Sequence, residues 1–129
     1  MKIGICNDHS GVEIKNKLAE YLTGKGYEIV NFGSDIPDSI DYPDVAHPLA
    51  TAVESGEVDL GIALCGTGNG MAITLNKHQD IRAGLCWSVE IGELIKQHQK
   101  RLDRYECGIQ SVDNRRLFAF RLCRNQGVF

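Results

Sequence analysis

The segment "VDLGIALCGTGNGMAI", residues 58–73, decides the fold of this 129-residue chain. Its first half is apolar and lacks the alternation of polar and apolar residues that a half-exposed strand shows. Such a run predicts a central strand of a parallel sheet, because that strand is covered on both faces. Gly66, Gly68 and Gly70 follow at every second position and predict a turn, and residues 69–77 predict a short helix.

Strands and helices alternate along the chain on both sides of this segment. Further strands are predicted at 2–6, 27–32 and 81–86, and further helices at 10–26, around 45–53 and at 88–100. The alternation predicts the α/β class, as a three-layer, Rossmann-like parallel sheet with right-handed crossovers and helices on both faces. The C-terminal elements have no clean pattern: "ECGIQSV" (106–112) is interpreted as a strand and "NRRLFAFRLCRN" (114–125) as a helix.

Individual residues indicate where three of the predicted helices begin. Ser10 and Glu13 have the spacing of a capping box at the first helix, and Ser88 is predicted to cap the helix after residue 86. Pro48 cannot donate the backbone hydrogen bond that a helix starting at Asp44 would need from it. The second helix is therefore predicted to start near His47 or to kink there.

Length, hydropathy and cysteine content restrict the class of protein. A chain of this length predicts one domain that buries roughly two-thirds of its unfolded surface. No apolar run reaches the ~20 residues that span a membrane, and "MKIGICNDHSG" turns polar too soon for a signal peptide. Five cysteines without a C-x-x-C pair argue against a disulfide framework and a zinc site. We therefore expect a cytoplasmic protein with no membrane partner.

Charge divides the chain into two segments. Residues 1–99 contain 7 Lys and Arg against 14 Asp and Glu, whereas residues 100–129 contain 7 against 3. The basic residues of the first segment are lysines except for Arg82, and those of the second are arginines except for Lys100. The second segment is interpreted as an atypical, arginine-rich part of the same domain. Nucleic-acid binding is not expected, because the first segment is acidic and has no aromatic platform.

Chemically capable side chains follow three of the predicted strands. They are Asp8 and His9 after the first strand, the acidic loop from Asp35 to Asp41 after the second, and Cys65 to Gly70 after the third. Ligands of open parallel sheets bind at the carboxyl ends of the strands, where these groups converge. The sequence therefore predicts a site at this edge of the sheet.

The glycine loop matches neither the dinucleotide pattern nor the P-loop pattern, so nucleotide binding is not expected. Its backbone amides can converge on an anion, although a bare glycine triplet is also typical of a tight strand-to-helix turn. Cys65 favours the functional interpretation of the loop over the structural one. The positive end of a helix dipole favours a thiolate, which can act as a base or a nucleophile. The other cysteines are interpreted as small buried hydrophobic residues.

Two histidine positions have structural alternatives. Asp8 and His9 also fit an Asx-type turn with a solvated histidine. His98 lies on the same helical stripe as Ile91, Leu94 and Ile95, where a histidine is usually a core or interface residue.

Several motifs occur together and in one order. They are "NDHSG", "SIDYPDVA", "CGTGNGMAI" with a following "NK", "IRAGLC", and a helix that ends in a histidine. Over residues 1–98 the chain resembles the family of ribose-5-phosphate isomerase B and the related galactose-6-phosphate isomerase subunits. "DYPD" together with "CGTGNGM" is far more specific than any single glycine pattern. Met71 stands where a branch without the loop cysteine has a glutamate base, so the resemblance is to the branch with a cysteine base.

The resemblance implies interconversion of an aldose and a ketose phosphate through a cis-enediolate, without metal or organic cofactor. It implies that Cys65 moves the proton between C1 and C2, that Thr67 assists it, and that His98 opens the furanose ring. Asp8 and His9 would bind the ends of the sugar phosphate. Asn69 would bind the sugar, and the amides from Gly66 through Gly68 to Gly70 would hold the enediolate oxygen. The family forms homodimers with sites at the interface, which implies that His98 serves the partner's site.

The resemblance ends near Gln99, where the family continues with a different strand and with arginines that grip the phosphate. We hypothesise that residues 100–129 are an out-of-frame or otherwise replaced ending, which resequencing the coding DNA tests. D-ribose 5-phosphate is the first substrate to expect. The alternatives are a hexose 6-phosphate, such as allose or galactose 6-phosphate, and a catalytically impaired domain that binds sugar phosphate.

Overall fold

The computed structural model describes residues 1–98 and 119–124 of the chain. Strands β1 to β5 are Lys2–Asn7, Glu28–Asn31, Leu60–Leu64, Ile81–Cys86 and Ala119–Arg124. Helices α1 to α4 are Val12–Gly24, Tyr42–Ser55, Asn69–Leu75 and Val89–His98, and a short 3₁₀ turn, His9–Gly11, precedes α1. The strands and helices predicted before residue 98 are all present, so the predicted α/β class is confirmed.

The five strands form one sheet in the order β2-β1-β3-β5-β4. β1 pairs in parallel with both β2 and β3, and all five residues of β3 are buried, as the apolar run predicted for a central strand. β5 is antiparallel to both β3 and β4, so β1 to β4 run in one direction and β5 runs against them.

The C-terminal part of the sheet corrects one prediction. The segment 114–125 was predicted as a helix, but its residues Ala119–Arg124 form strand β5. A slot between β3 and β4 offers backbone hydrogen bonds on both sides, and this tertiary pairing overrides the local pattern. The strand predicted at 106–112 lies outside the described residues.

Two apolar cores cover the two faces of the sheet. On one face, α1 packs its inner side chains against alternate residues of β1 and β3, including Ile3, Ile5 and Ile62. On the other face, α2 and α3 pack against the intervening residues, including Cys6 and Ala63. Since neighbours along a strand point to opposite faces, this division confirms the predicted helices on both faces. No helix within the described residues is long and apolar enough to cross a bilayer.

The start of α1 differs from the predicted capping box. Gly11, and not Ser10, is the N-cap of α1, and this N-cap makes no side-chain hydrogen bond. Ser10 instead donates its amide and its hydroxyl to the Asp8 carboxylate, at 2.9 and 2.5 Å. The capping-box prediction is wrong because the 3₁₀ turn uses Ser10 one step earlier in the chain.

The second helix starts earlier than predicted. α2 begins at Tyr42 with Pro43 in its first turn, and it continues through Pro48 to Ser55. Pro48 lies on the exposed side, while the inner side buries six residues: Val45, Ala46, Leu49, Ala50, Ala52 and Val53. Burial of this apolar stripe offsets the one hydrogen bond that Pro48 cannot donate, so the predicted start near His47 is wrong.

The start of α4 agrees with the sequence. The amide of Ile91 donates to the Ser88 hydroxyl at 3.2 Å, which confirms the predicted cap. Ile95 packs so closely on β4 that a Cβ atom at Gly84 would lie 2.9 Å from its side chain. Ala83 and Leu85 face the core under α2, so Gly84 faces the opposite side and places α4 on the same face as α1.

Two glycine-to-alanine substitutions are expected to have opposite effects on stability. At Gly4 an added Cβ would lie 2.5 Å from Leu49 Cδ1, so Gly4→Ala is expected to destabilise the fold by about 1–3 kcal/mol. At Gly24, in α1, the added Cβ meets nothing within 4 Å, so Gly24→Ala is expected to stabilise by up to about 0.5 kcal/mol. Urea unfolding measures both free energies, and an equal effect at the two positions would contradict the packing at Gly4.

Candidate active site

The ends of β1 and β3 are joined at the edge where the sequence predicted the site. The amide of Asp8 donates to the carbonyl of Leu64 at 3.1 Å, so the two loops leave the sheet side by side. Gly11 lies against both strand ends, and a Cβ there would be 3.0 Å from Asn7 Cβ and 3.1 Å from Leu64 Cβ. This close approach brings the 3₁₀ turn next to the glycine loop.

Asp8 and His9 form the first wall of the site. Asp8 is 8% exposed, and its carboxylate accepts both hydrogen bonds from Ser10. His9 is exposed in the 3₁₀ turn that follows. The geometry is that of an Asx turn, so the turn proposed as an alternative is present, and it fixes the direction in which the carboxylate faces.

Cys65 lies at the start of the glycine loop, half-buried between the sheet and α3. Gly68 adopts φ 79°, ψ −21°, a left-handed conformation that favours glycine. That conformation turns the Gly68 amide back toward the cysteine, where it donates to Cys65 Sγ at 3.1 Å. The loop therefore places a backbone N–H donor directly against the sulfur of this side chain.

The rest of the loop leads into α3. The Asn69 amide donates to Thr67 Oγ1 at 3.3 Å, and both residues are exposed. The first hydrogen bond inside the helix runs from the Ala72 amide to the Gly68 carbonyl, at 3.0 Å. Amides in the first turn before Ala72, such as that of Gly70, therefore have no carbonyl partner within the helix and are available to an anion.

Two residues of the site were not given a role by the sequence. The ring of Tyr42 covers Gly70 so closely that a Cβ there would lie 2.9 Å from the ring. The Ser10 hydroxyl lies 3.5 Å from the position of a Cβ at Gly66. "DYPD" was a signal for Tyr42, but a contact between an aromatic ring and a glycine 28 residues later cannot be derived from spacing.

Cys6 differs sharply from Cys65. It is fully buried, and burial raises the pKa of its thiol, which the neighbouring Cys65 and Asp8 raise further. A thiol in this environment stays protonated and unreactive. The interpretation of Cys6 as a small buried hydrophobic residue agrees with these surroundings.

The remaining predicted positions lie further from the loop. Asp35, in the loop after β2, pairs with Lys15 of α1 and not with a residue of the glycine loop. His98 is the last residue of α4, a helix that starts beyond the carboxyl end of β4. Ten helical residues extend about 15 Å, which separates His98 from the edge where α4 begins. Within the described part of the chain, no three His, Cys, Asp or Glu side chains are placed to bind one metal ion.

The two environments predict different reactivities of the two thiols. Iodoacetamide added to the folded protein is expected to alkylate Cys65 at least ~100-fold faster than Cys6, because Cys6 is buried and protonated. Peptide mass spectrometry over a time course measures both rates. Labelling in urea serves as the control, where the two rates should become similar, and equal rates in the folded protein would contradict the described burial of Cys6.

Known proteins share both the sequence and the fold. The family described as "Ribose/Galactose Isomerase" matches residues 3–101. Ribose-5-phosphate isomerase B of Escherichia coli is 39% identical over 97 residues, which cover 75% of this chain and 65% of that protein. A putative sugar phosphate isomerase of Rickettsia typhi is 35% identical over 116 residues, 90% of this chain and 80% of that protein.

A solved structure, of Clostridium thermocellum ribose-5-phosphate isomerase B, superposes with a TM-score of 0.75 at 43% identity. The superposition covers 78% of this chain and 68% of that one. The chain spans less than two thirds of the length of the Escherichia coli protein, while the Rickettsia alignment reaches past residue 101, into the C-terminal segment. A family match over residues 3–101, on the fold and loop described above, shows that the chain belongs to the ribose/galactose isomerase family.

Proposed function

We propose that this protein is a sugar-phosphate isomerase that interconverts D-ribose 5-phosphate and D-ribulose 5-phosphate, with Cys65 as the catalytic base. The observation that carries the proposal is the hydrogen bond from the Gly68 amide to Cys65 Sγ at the edge of the sheet. Structures and relatives named as ribose-5-phosphate isomerase B support the choice of substrate.

The chemistry requires a base that removes a carbon-bound proton and donors that hold the resulting negative charge. The Cys65 thiolate takes the proton from C2 of the open-chain aldose, which leaves a cis-enediolate. The same thiol returns the proton to C1, while a proton moves from O2 to O1, and the product is the ketose. Thr67 lies two residues after Cys65, and its hydroxyl assists the transfer of the proton from O2 to O1.

The amides of the loop hold the enediolate. Backbone donors at the start of α3 are fixed before the reaction, so they stabilise a developing oxyanion without reorganising. Gly66, which has no side chain in the way, allows the substrate to approach the loop closely, Gly68 and Gly70 contribute their backbone amides, and Asn69 binds a sugar hydroxyl. Asp8 and His9 bind the sugar phosphate at the opposite wall, where Asp8 is oriented by its hydrogen bonds from Ser10.

A homodimer completes the site in this proposal. Three large apolar side chains on α3, on α4 and after β4 are exposed in the single chain: Ile73 at 62%, Trp87 at 57% and Leu94 at 38%. The proposal places these three side chains under the second subunit, because covering them removes apolar surface from water. His98, at the far end of α4, then opens the furanose ring in the site of the partner.

The compartment is part of the same proposal. Cys6 and Cys65 are free thiols, and we expect a protein of the reducing cytoplasm to keep its thiols in this state.

A six-carbon substrate is the second candidate, because the name of the matched family includes galactose, a six-carbon sugar, as well as ribose. The two substrates need the same base and the same loop, and they differ in how far the phosphate lies from C1. Comparing ribose 5-phosphate with allose 6-phosphate and galactose 6-phosphate in one assay distinguishes them. Folded protein that binds these sugars without converting any of them would support the impaired-domain alternative.

Replacement of Cys65 tests the base. Cys65→Ala is expected to lower kcat for ribose 5-phosphate by at least ~100-fold, because removing a general base typically costs 10²–10⁴. Cys86→Ala is the matched control, since it removes another half-buried thiol and should leave kcat close to that of the parent. Ketose formation measures both. Undiminished activity in Cys65→Ala would rule out this residue as the base.

Replacement of His98 tests ring opening. His98→Asn is expected to slow turnover of ribose 5-phosphate more than that of D-erythrose 4-phosphate, whose phosphorylated O4 prevents closure to a furanose. Equal loss on both substrates would contradict the assigned role.

Mixing the two impaired variants tests which site His98 serves. Hybrid dimers of Cys65→Ala and His98→Asn chains contain one intact site only if His98 acts in the site of the partner. Random exchange of subunits should then restore about a quarter of the parent activity, because half of the dimers are hybrids with one working site of two. No recovery, with hybrids demonstrated by mass spectrometry, would assign His98 to its own chain.

A further inference from the structure

Lys15 is a buried lysine for which the proposed mechanism has no use. Its side chain is 2% exposed, whereas the side chain of Lys17, on the same helix, is 66% exposed. The ammonium group of Lys15 donates to the carbonyl of Ser34 at 2.9 Å and to the carboxylate of Asp35. A buried ammonium without such partners would be strongly destabilising, so this contact is specific and not incidental.

The contact fixes the start of the loop that follows β2. Gly33, directly before Ser34, packs on Asn7 so closely that an added Cβ would lie 2.5 Å from the Asn7 amide nitrogen. Asn7 is fully buried and precedes Asp8, and its side-chain amide donates to the Asp8 carbonyl at 2.8 Å. A movement of this loop would therefore displace Gly33 and Asn7, and with them Asp8.

The same loop ends at the other wall. It leads into α2 at Tyr42, whose ring covers Gly70 of the glycine loop. Along the loop, the Ser34 hydroxyl donates to the Ile36 carbonyl at 2.8 Å, and Ile40 packs on the core under α2. The loop thus starts against Asn7, the residue before Asp8, and leads into Tyr42, which covers the glycine loop, while Lys15 binds the loop at Ser34 and Asp35.

The contact with Lys15 also changes the pKa of the Asp35 carboxyl group. Its hydrogen bond from Lys15 and the charge of that lysine lower the pKa of Asp35, and Asn31 adds a hydrogen bond at 2.9 Å. Because the pKa is lower in the folded state, the stabilisation is present above the ordinary carboxyl pKa and is lost as the pH falls through the lowered value. At neutral pH the Asp35 carboxylate is therefore ionised.

We propose that Lys15 is a positioning residue for the active site: its buried ammonium holds Ser34 and Asp35, and so orients the loop 33–41, which packs on Asn7 next to the Asp8 turn and leads into Tyr42. The kinetic part of this proposal rests on the proposed function, whereas the loop geometry does not. The walls that the loop joins bind substrate, so a loosened loop weakens binding more than it slows the proton transfer at Cys65.

Two substitutions on one helix give a matched test. Lys15→Met removes the buried ammonium and keeps the length of the side chain, whereas Lys17→Met removes an exposed ammonium that pairs with Glu13. Asp35→Asn provides a second variant that is expected to fold, because the Asp35 side chain is 71% exposed. Amide hydrogen exchange and steady-state kinetics with ribose 5-phosphate are measured on all three variants and on the parent.

Lys15→Met is expected to speed exchange at 31–42 by about tenfold while 58–64, in the central strand, exchanges as in the parent. It should also raise KM by about tenfold with a much smaller change in kcat, which a uniform loss of stability would not produce. Asp35→Asn should give the same pattern to a smaller degree, because the Ser34 carbonyl still binds Lys15. Lys17→Met should resemble the parent in both measurements.

Three results overturn the proposal. They are unchanged exchange at 31–42 in Lys15→Met, an equal rise across the whole chain, and a fall in kcat with constant KM. If the parent protein does not isomerise any of the sugar phosphates, the proposed function fails by itself. The exchange pattern of Lys15→Met against Lys17→Met then still decides whether the ammonium orients the loop.

Discussion

The hydrogen bond from the Asp8 amide to the Leu64 carbonyl joins the two strand ends on which the whole site is built. It is possible only because β1 and β3 are parallel neighbours in register, with Asn7 opposite Leu64. The next residue on one strand is Asp8 and the next on the other is Cys65, so the register itself brings a carboxylate and a thiol to one edge. A shift of either strand by one residue would turn the side chains of that strand toward the opposite face and separate the two groups.

Close packing at glycines sets the distances around that edge. Gly11 lets the 3₁₀ turn rest on Asn7 and Leu64, Gly33 lets the loop after β2 rest on Asn7, and Gly70 lies under the ring of Tyr42. At each of these positions a Cβ would lie 3.0 Å or less from a neighbouring atom. That distance is too short, so the segments would have to separate. The left-handed conformation of Gly68 has a different role, since it directs a backbone amide to Cys65 Sγ.

The sequence predicted the elements of the fold well up to residue 98. Apolar runs and amphipathic periods are local properties, and the strands and helices follow them because each must bury one face. The errors lie where a distant contact overrides a local signal. Pro48 does not delay the start of α2 to His47, because the apolar stripe on the inner side of the helix is buried from Val45 onward, and Ser10 bonds to Asp8 in place of capping α1. Residues 119–124 become a strand because β3 and β4 leave a slot for one.

For the site, the sequence by itself determined which groups are present: a cysteine before alternating glycines, an Asp-His pair after the first strand, and a histidine at the end of the fourth helix. Family membership follows from that order and from the match over residues 3–101. Only the tertiary structure decided which groups meet. The amide of Gly68 at Cys65, the ring of Tyr42 over Gly70 and the ammonium of Lys15 under Ser34 all join segments through packing. Spacing along a chain encodes the period of a helix or a strand, but it does not encode the distance between two side chains on different elements.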